Sequence, residues 1–279
     1  MSRRYDFHCH STASDGTLTP TELVQRAAGQ GVELLALTDH DTLAGLEEAR
    51  AAAETAGIQL VNGIELSVVW QNRELHMVAL GFDHQHEAIT GLVDRQQQAR
   101  EKRARTMGHR LDKAVPMTGA YDQAAALSGQ SAPGGPWFAG VLLEAGHVRS
   151  MDHAFNRFLK QGQSGFVRTP WVAMEDAVAA VAEAGGMSVI AHPISYGLTR
   201  TKLRRLLADF VACGGDGLEV AVPGLHPNQQ RLMAECLTDF PLSASGGSDF
   251  HSPAQTWLEL GRVPELPADA RPIWAALAA

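Results

Sequence analysis

Residues 34–41 read Leu-Leu-Ala-Leu-Thr-Asp-His-Asp, and this stretch indicates the fold class of the whole chain. A short apolar run ends in two carboxylates and a histidine, which is typical of a buried strand whose carboxyl end carries functional side chains. Further short apolar runs follow along the chain, and helix-like stretches separate them. The predicted strands are Tyr5–His10, Leu34–Asp39, Gln59–Ser67, Leu75–Phe82, Met187–His192, Gly217–Val222 and Leu242–Ser248. This alternation predicts an α/β protein with a parallel sheet.

One helix start is clear at Thr19–Glu22, where the residues Thr-Pro-Thr-Glu form a capping box with proline at the first helical position. Seven predicted strands with helical crossovers fit a closed or nearly closed, distorted (β/α)7 barrel. An open doubly wound sheet is the alternative that the sequence leaves open.

The alternation stops between residues 91 and 165, which we predict to be a helical insertion domain. The barrel would then be discontinuous and comprise residues 1–90 and 166–279. Seven basic side chains lie between Asp94 and Lys113, against three acidic ones. This basic helix would either guide an RNA backbone or be a solvated face, and an i, i+4 pair of Glu101 with Arg105 favours the second interpretation.

Composition excludes several classes of protein. The 279 residues are 45% hydrophobic and 19% charged, and the net charge of −8 argues against a protein that chiefly coats nucleic acid, so no DNA partner is expected. No run of 18 apolar residues is present, and the stretch 1–8 turns polar where a signal peptide needs its apolar segment. The three cysteines, Cys9, Cys213 and Cys236, are odd in number and far apart. We therefore expect a reduced, cytoplasmic chain without a membrane partner.

Histidines and carboxylates recur where the predicted strands end. His8 and His10 share one face of the first strand, and Cys9 faces the other way, so we predict that Cys9 is a core residue rather than a ligand. Because the carboxyl ends of parallel strands meet at one edge, these side chains can converge on a multinuclear metal site. The remaining members of the set are Asp15, Asp39, His40, Glu65, His76, His192, Asp249 and His251.

This set of motifs resembles the polymerase-and-histidinol-phosphatase (PHP) family of phosphoesterases. Within that family it is most similar to the branch of nucleoside 3',5'-bisphosphate phosphatases that also act as 5'-to-3' exoribonucleases. The resemblance runs from Tyr5 to about Pro253 and includes Asp-Gly-Thr-Leu-Thr-Pro at residues 15–20 and Glu-Ala-Gly-x-Val at Glu144–Val148. It implies a distorted barrel of the PHP type with a helical insertion.

The resemblance also implies two or three divalent metal ions, with manganese expected and iron or zinc as alternatives. In the family's pattern Glu65 bridges two of the ions, and Asp39 is expected to orient an imidazole. The implied ligand sets are His8, His10, Glu65 and Asp249 for one ion, Asp15, His40 and His251 for a second, and Glu65, His76 and His192 for a third.

The implied reaction is hydrolysis of phosphate from nucleoside 3',5'-bisphosphates, and from 5' ends of short RNA, through attack by a metal-bridging hydroxide. Asp249 is the expected proton-handling residue, with Asp39 and His226 as further catalytic candidates. His226 is otherwise a histidine of a surface loop. Two alternative functions remain open, a small-molecule monophosphatase of the histidinol-phosphate type and a non-catalytic metal-binding module.

One segment departs from the family pattern. Relatives typically carry Arg-x-His-Phe-Ala before the second helix of the insertion, whereas this chain has Gly135 and Trp137 in place of the arginine and the histidine. A guanidinium that would grip a phosphate is therefore missing there. Trp137 would stack on a base or be a buried residue. The basic residues that could replace the arginine as substrate contacts are Arg168, Arg200 and Lys202.

Overall fold

The computed structural model describes residues 4–277, so the prediction for the first residues of the chain falls partly on residues 1–3, which lie outside the described residues. The chain divides into two compact units. The larger comprises Met1–Val93 and Val172–Ala279, and the smaller comprises Asp94–Trp171, which compares with the predicted insertion at residues 91–165. Within residues 4–277, no helix combines the length and the apolar character needed to cross a membrane.

The larger unit is built on one sheet. Its strands are β1 (Tyr5–Asp6), β2 (Leu34–Leu37), β3 (Gln59–Trp70), β4 (Arg73–Leu80), β5 (Val172–Ala173), β6 (Met187–Ile190), β7 (Gly217–Ala221) and β8 (Ser243–Gly246). The order across the sheet is β1-β2-β3-β4-β6-β7-β8, and β5 pairs with β3. The helices of this unit are α1 (Pro20–Gly29), α2 (Leu46–Ala56), the start of α3 (Glu87–Ala114), α7 (Met174–Glu183), α8 (Arg200–Ala212), α9 (Pro227–Asp239) and α10 (Trp274–Leu277), together with a 3-10 turn at Pro193–Tyr196.

The sheet is not parallel throughout, contrary to the sequence-based expectation. Strand β4 runs antiparallel to both of its neighbours, β3 and β6. The reason is the two-residue connection between β3 and β4, where Gln71 and Asn72 both have positive φ, at 46° and 65°. Such a turn makes a hairpin and leaves no room for a crossover helix. The other predicted strands pair in parallel.

The first and last strands meet and close the barrel. The amide of Phe7 donates to the carbonyl of Gly246 (3.2 Å). Beyond the strands, the amide of Asp249 donates to the carbonyl of His8 (2.8 Å), and the amide of His10 donates to the carbonyl of Phe250 (2.9 Å). Inside the ring, Phe7, Ala36, Val78 and Val189 belong to one apolar cluster although they come from strands that are not all neighbours. The sheet therefore curls so that its first and last strands meet, and the predicted distorted barrel, not the open sheet, is the observed architecture.

The outer face of the first strands packs against helices. The capping box predicted at Thr19 and Glu22 is present and begins α1. Leu23 from α1 and Leu46 from α2 lie in one buried cluster with Cys9, whose thiol donates to the carbonyl of Ala36 (3.3 Å). Cys9 is therefore part of this helix-covered core.

The smaller unit is helical and has its own core. It contains the rest of α3, then α4 (Ala120–Ser128), α5 (Gly135–Glu144), α6 (Met151–Ala154) and a π-helical turn at Phe155–Leu159. Basic side chains of α3 are occupied inside this unit. Arg105 pairs with Glu101 (2.7 Å) and lies over the ring of Tyr121, and Arg110 donates to the carbonyl of Phe166. These contacts favour the interpretation of the basic helix as a solvated face.

Barrel closure generates a testable prediction at Gly247. A Cβ atom there would lie 2.2 Å from the Cβ of His8 and 2.6 Å from its amide nitrogen, so the two chain segments can meet only at glycine. We expect Gly247→Ala to lower the free energy of unfolding by about 2 kcal/mol or more, because backbone must move. Gly29→Ala is the matched control, since nothing lies within 4 Å of its added Cβ. Urea unfolding of both variants is the measurement, and equal midpoints would contradict the proposed close approach.

Candidate metal centre

All nine predicted ligands lie together in the larger unit. His8 and His10 follow β1, His40 follows β2, Glu65 and His76 lie within β3 and β4, and the others come from the segments after β1, β6 and β8. Each of the nine belongs to at least one group in which the ligand atoms lie within 4.8 Å of one another. The groups are His10, Asp15, His40 and His251; His8, His10 and Asp249; His8, Glu65 and His192; and His40, Glu65 and His76.

Glu65 lies at the centre of the cluster, and its side chain is almost completely buried. Its Oε1 is 2.9 Å from Nδ1 of His76 and 3.0 Å from Nε2 of His192, and His8 Nε2 is 3.2 Å away. Its Oε2 is 2.9 Å from Nδ1 of His40 and 3.3 Å from Nε2 of His10. One carboxylate therefore contacts five imidazoles that come from four different parts of the barrel.

The groups resemble the implied ligand sets but differ in two respects. His10 joins the group of Asp15, His40 and His251 as well as that of His8 and Asp249. His76 and His192, which the family pattern assigns to one ion, both contact Glu65 Oε1 but fall into different groups. The assignment of ligands to individual ions stays a prediction.

In three of the histidines, the ring nitrogen Nδ1 lies beside a hydrogen-bond acceptor. His8 Nδ1 lies 3.0 Å from Glu219 Oε1, and His251 Nδ1 lies 2.9 Å from the carbonyl of Asp249. His192 Nδ1 lies 2.9 Å from Ser195 Oγ, whose own hydrogen goes to the carbonyl of His192. In each case Nδ1 donates, so Nε2 is the atom that remains for a metal ion, as in most histidine metal sites.

The electrostatics of the cluster also suit cations. Burial raises the pKa of Glu65 and of Asp249, but the surrounding imidazoles bring both pKa values well below the usual range. Burial lowers the pKa of His8 and of His192, but nearby carboxylates raise it by more. A proton and a metal ion thus compete for the same nitrogen lone pairs.

The donor atoms fit a metal centre. Within residues 4–277, the buried atoms without a hydrogen bond of normal geometry include His8 Nε2, both ring nitrogens of His10, His76 Nδ1 and Glu65 Oε2. Buried polar atoms are rarely left without a partner, and here they are concentrated at one point. Burial, together with the charges of His251 and His40, lowers the pKa of His10 to about 3, so its imidazole is neutral and able to bind a metal. Mixed imidazole and carboxylate ligands suit manganese, iron or zinc.

Two ligand positions carry strained backbone. His192 and Asp249 have φ of 27° and 54°, in the left-handed region that costs a non-glycine residue about 1–3 kcal/mol. Hydrogen bonds hold both. The amide of His192 donates to Glu219 Oε2 (2.5 Å), and that of Asp249 donates to the carbonyl of His8 (2.8 Å). Strain retained at two candidate ligands indicates that their positions matter for function.

Asp39 does not have the contact expected of it. Instead of orienting an imidazole, its carboxylate accepts hydrogen bonds from the amide and hydroxyl of Ser11 (2.8 and 2.7 Å) and from the hydroxyl of Ser14 (2.5 Å). The side chain points away from His40 because successive residues of an extended chain alternate in direction. Burial raises the pKa of Asp39 despite these hydrogen bonds. Asp39 therefore holds the loop between β1 and α1 in place.

The predicted substrate contacts are dispersed. His226 caps the start of α9 together with Gln229 and lines a cavity beside His192. Arg200 begins α8 and pairs with Glu235 (2.6 Å), while Lys202 is exposed on the same helix. Arg168 and Trp137 belong to the smaller unit, where Arg168 is exposed and Trp137 packs half-buried against the core.

Sequence reasoning missed two residues that orient ligands, Glu219 and Ser195. Glu219 lies in β7, which reads Gly-Leu-Glu-Val-Ala, and a single carboxylate in an otherwise buried apolar strand was the available signal. Ser195 had no comparable signal, because a serine after a proline is ordinary in a turn.

Comparisons with known proteins agree with the fold. A family model described as PHP domain matches residues 6–132. A 5'-3' exoribonuclease from Haemophilus influenzae is 44% identical over 98% of this chain and 99% of its own length. A 3',5'-nucleoside bisphosphate phosphatase from Chromobacterium violaceum is 41% identical over 98% of this chain and 96% of its own length.

A solved structure from Chromobacterium violaceum, described as an amidohydrolase with bound sulfate and no metal, superposes with a TM-score of 0.93. Its sequence is 40% identical, and the superposition covers 99% of this chain and 96% of that one. The similarity therefore extends over both units and includes the barrel that carries the histidine cluster. By its barrel and its full-length relatives, the chain belongs to the PHP family of metal-dependent phosphoesterases.

Proposed function

We propose that this chain hydrolyses phosphate from nucleoside 3',5'-bisphosphates and acts on the 5' ends of short RNA, with manganese as its metal. The observation that carries the proposal is the cluster of nine ligands in a chain whose full-length relatives are a bisphosphate phosphatase and an exoribonuclease. Both names describe the hydrolysis of phosphate esters of nucleotides. A cytoplasmic location, predicted from the scattered cysteines, accords with three free thiols among the described residues.

Divalent ions held by these nine side chains would neutralise the phosphate oxygens and supply a nucleophilic water near neutral pH. The protein's own contribution is to hold the ligands in place and to move protons. Glu65 is 1% exposed and can act only as a ligand, whereas the side chain of Asp249 is 34% exposed. Asp249 is therefore the one of these two carboxylates that water or the leaving group can reach, which supports its predicted catalytic role.

A second function, hydrolysis of a small phosphate monoester, is favoured by one observation. Gly135 is buried at the start of α5, and a Cβ atom there would lie 3.2 Å from the ring of Phe155. The local packing thus accommodates glycine where relatives are expected to carry an arginine. Without that guanidinium, this position offers no group to bind the second phosphate of a bisphosphate. Arg200, one of the three candidate replacements for that arginine, already pairs with Glu235.

Three substrates separate these functions. Adenosine 3',5'-bisphosphate, a simple sugar phosphate and a 5'-phosphorylated oligoribonucleotide should be compared at equal concentration of manganese-loaded protein. Preferential turnover of the bisphosphate and the oligonucleotide supports the proposal. Preferential turnover of the sugar phosphate supports the monophosphatase, and no turnover of any substrate with metal bound supports a non-catalytic module.

The ligand set predicts that metal binding and activity are lost together. We expect His10→Ala and Asp249→Asn to reduce the manganese content from about two or three ions per chain, and to remove turnover, because each variant deletes a donor atom at the centre of the cluster. Elemental analysis and circular dichroism are the measurements. His109→Ala and Asp122→Asn are matched controls at exposed positions. Full phosphatase activity in a metal-free preparation would contradict the prediction.

Glu219 provides a test of ligand orientation. Its Oε1 accepts a hydrogen bond from the ring of His8, and its Oε2 accepts one from the backbone amide of His192. Glu219 thus positions two candidate ligands and is not one of them. We expect Glu219→Gln to weaken manganese affinity about 10- to 100-fold, as is typical when the outer partner of a histidine ligand is lost. The dissociation constant is measured by competition with a chelating dye, with Glu183→Gln as the exposed control. An unchanged affinity would show that Glu219 serves the fold alone.

A further inference from the structure

A cavity of about 290 Å³ opens directly beside the candidate metal centre. It lies between the segment that follows β6 and the segment that follows β7, at the carboxyl ends of these strands. His192 belongs to both places, because it lines the cavity and its Nε2 is 3.0 Å from Glu65. A molecule in the cavity would therefore adjoin the reacting phosphate.

The walls of the cavity are largely apolar. Ile194 comes from the first segment, and Val222 and Leu225 come from the second, and all three are half-buried. None of them is needed to bind a metal or a phosphate. Apolar walls beside a charged cluster are suited to an uncharged ring system, and a volume near 300 Å³ lies at the small end of ligand pockets.

The polar side chains of the cavity include Glu219, whose two oxygens already face His8 Nδ1 and the amide of His192, together with His226 and Gln229. The amide of Gln229 donates to the backbone carbonyl of His226 (2.9 Å), and the ring of His226 can offer a donor or an acceptor, depending on its tautomer. Gln229 Oε1 accepts the amide hydrogen of His226 (2.8 Å), which leaves the side-chain NH2 of Gln229 as its free polar group. Helix capping therefore fixes the side chain of Gln229 with its NH2 group available, and a ligand that uses this group must present an acceptor.

We propose that this cavity binds the nucleobase of the substrate while the phosphate lies at the metal cluster. Nucleobases combine a flat apolar surface with ring nitrogens and carbonyl oxygens that accept hydrogen bonds. A sugar phosphate has no group that would use the apolar walls. The inference rests on the proposed function and goes beyond it, because it identifies the part of the substrate that is recognised and the residues that recognise it.

The test compares adenosine 3',5'-bisphosphate with ribose 5-phosphate, which lacks a base. Leu225→Trp fills the cavity, and Gln229→Glu replaces a donor by an acceptor while it keeps an oxygen for the amide of His226. We expect the ratio of kcat/KM for the nucleotide to kcat/KM for the sugar phosphate to fall about tenfold in each variant, which corresponds to about 1.4 kcal/mol. Leu127→Trp, at an exposed leucine of the smaller unit, is the control and should leave the ratio unchanged.

The outcomes separate the two proposals. A lowered ratio in the folded variants supports the cavity as the base site. Nucleotide turnover with an unchanged ratio in both variants overturns the base site and leaves the proposed function standing. Turnover of ribose 5-phosphate without turnover of the nucleotide in the unmodified protein overturns the proposed function, and the base site with it.

Discussion

The contact of one buried carboxylate with five imidazoles is the constraint on which the rest of this structure depends. An ionised carboxyl group inside a protein costs several kcal/mol unless charges or hydrogen bonds compensate it. Glu65 is compensated by side chains from β4 and from the segments that follow β1, β2 and β6. These segments can surround one point only if the sheet curls, so the chemistry of the site and the closure of the barrel depend on each other.

A second carboxylate, Glu219, ties this arrangement to the remaining strands. It lies in β7, contacts the ring of His8 across the barrel, and accepts the amide hydrogen of His192. The left-handed conformation of His192 is unfavourable for an isolated residue, and a charge-assisted hydrogen bond to its amide offsets part of that cost. Ser195 then fixes the ring itself. Two residues outside the candidate ligand set, Glu219 and Ser195, thus fix the positions of two candidate ligands.

Much of this site could be predicted from the sequence, and the physical reasons show where prediction ends. His8 and His10 could be predicted because side chains alternate strictly along a strand. The other candidate ligands could be predicted because strand ends converge in a barrel. The antiparallel direction of β4 was not readable, since the turn at Gln71 and Asn72 lacks the glycine that usually marks such a hairpin. The contacts of Asp39 with two serines depend on how a loop folds back over the strand, which no periodicity encodes.

The energies of the two kinds of substrate contact bear on what this enzyme distinguishes. A hydrogen bond from a guanidinium to a phosphate contributes about 1.5–3 kcal/mol, and burial of a base against apolar walls contributes roughly 25 cal/mol per Å² of apolar area, so one can replace the other in affinity. They do not replace each other in specificity. A guanidinium favours binding of bisphosphates over monophosphates. Apolar walls with a hydrogen-bond donor favour binding of nucleotides over sugar phosphates. With glycine at position 135 and the cavity beside His192, we infer that this chain discriminates more strongly for the base than for the second phosphate.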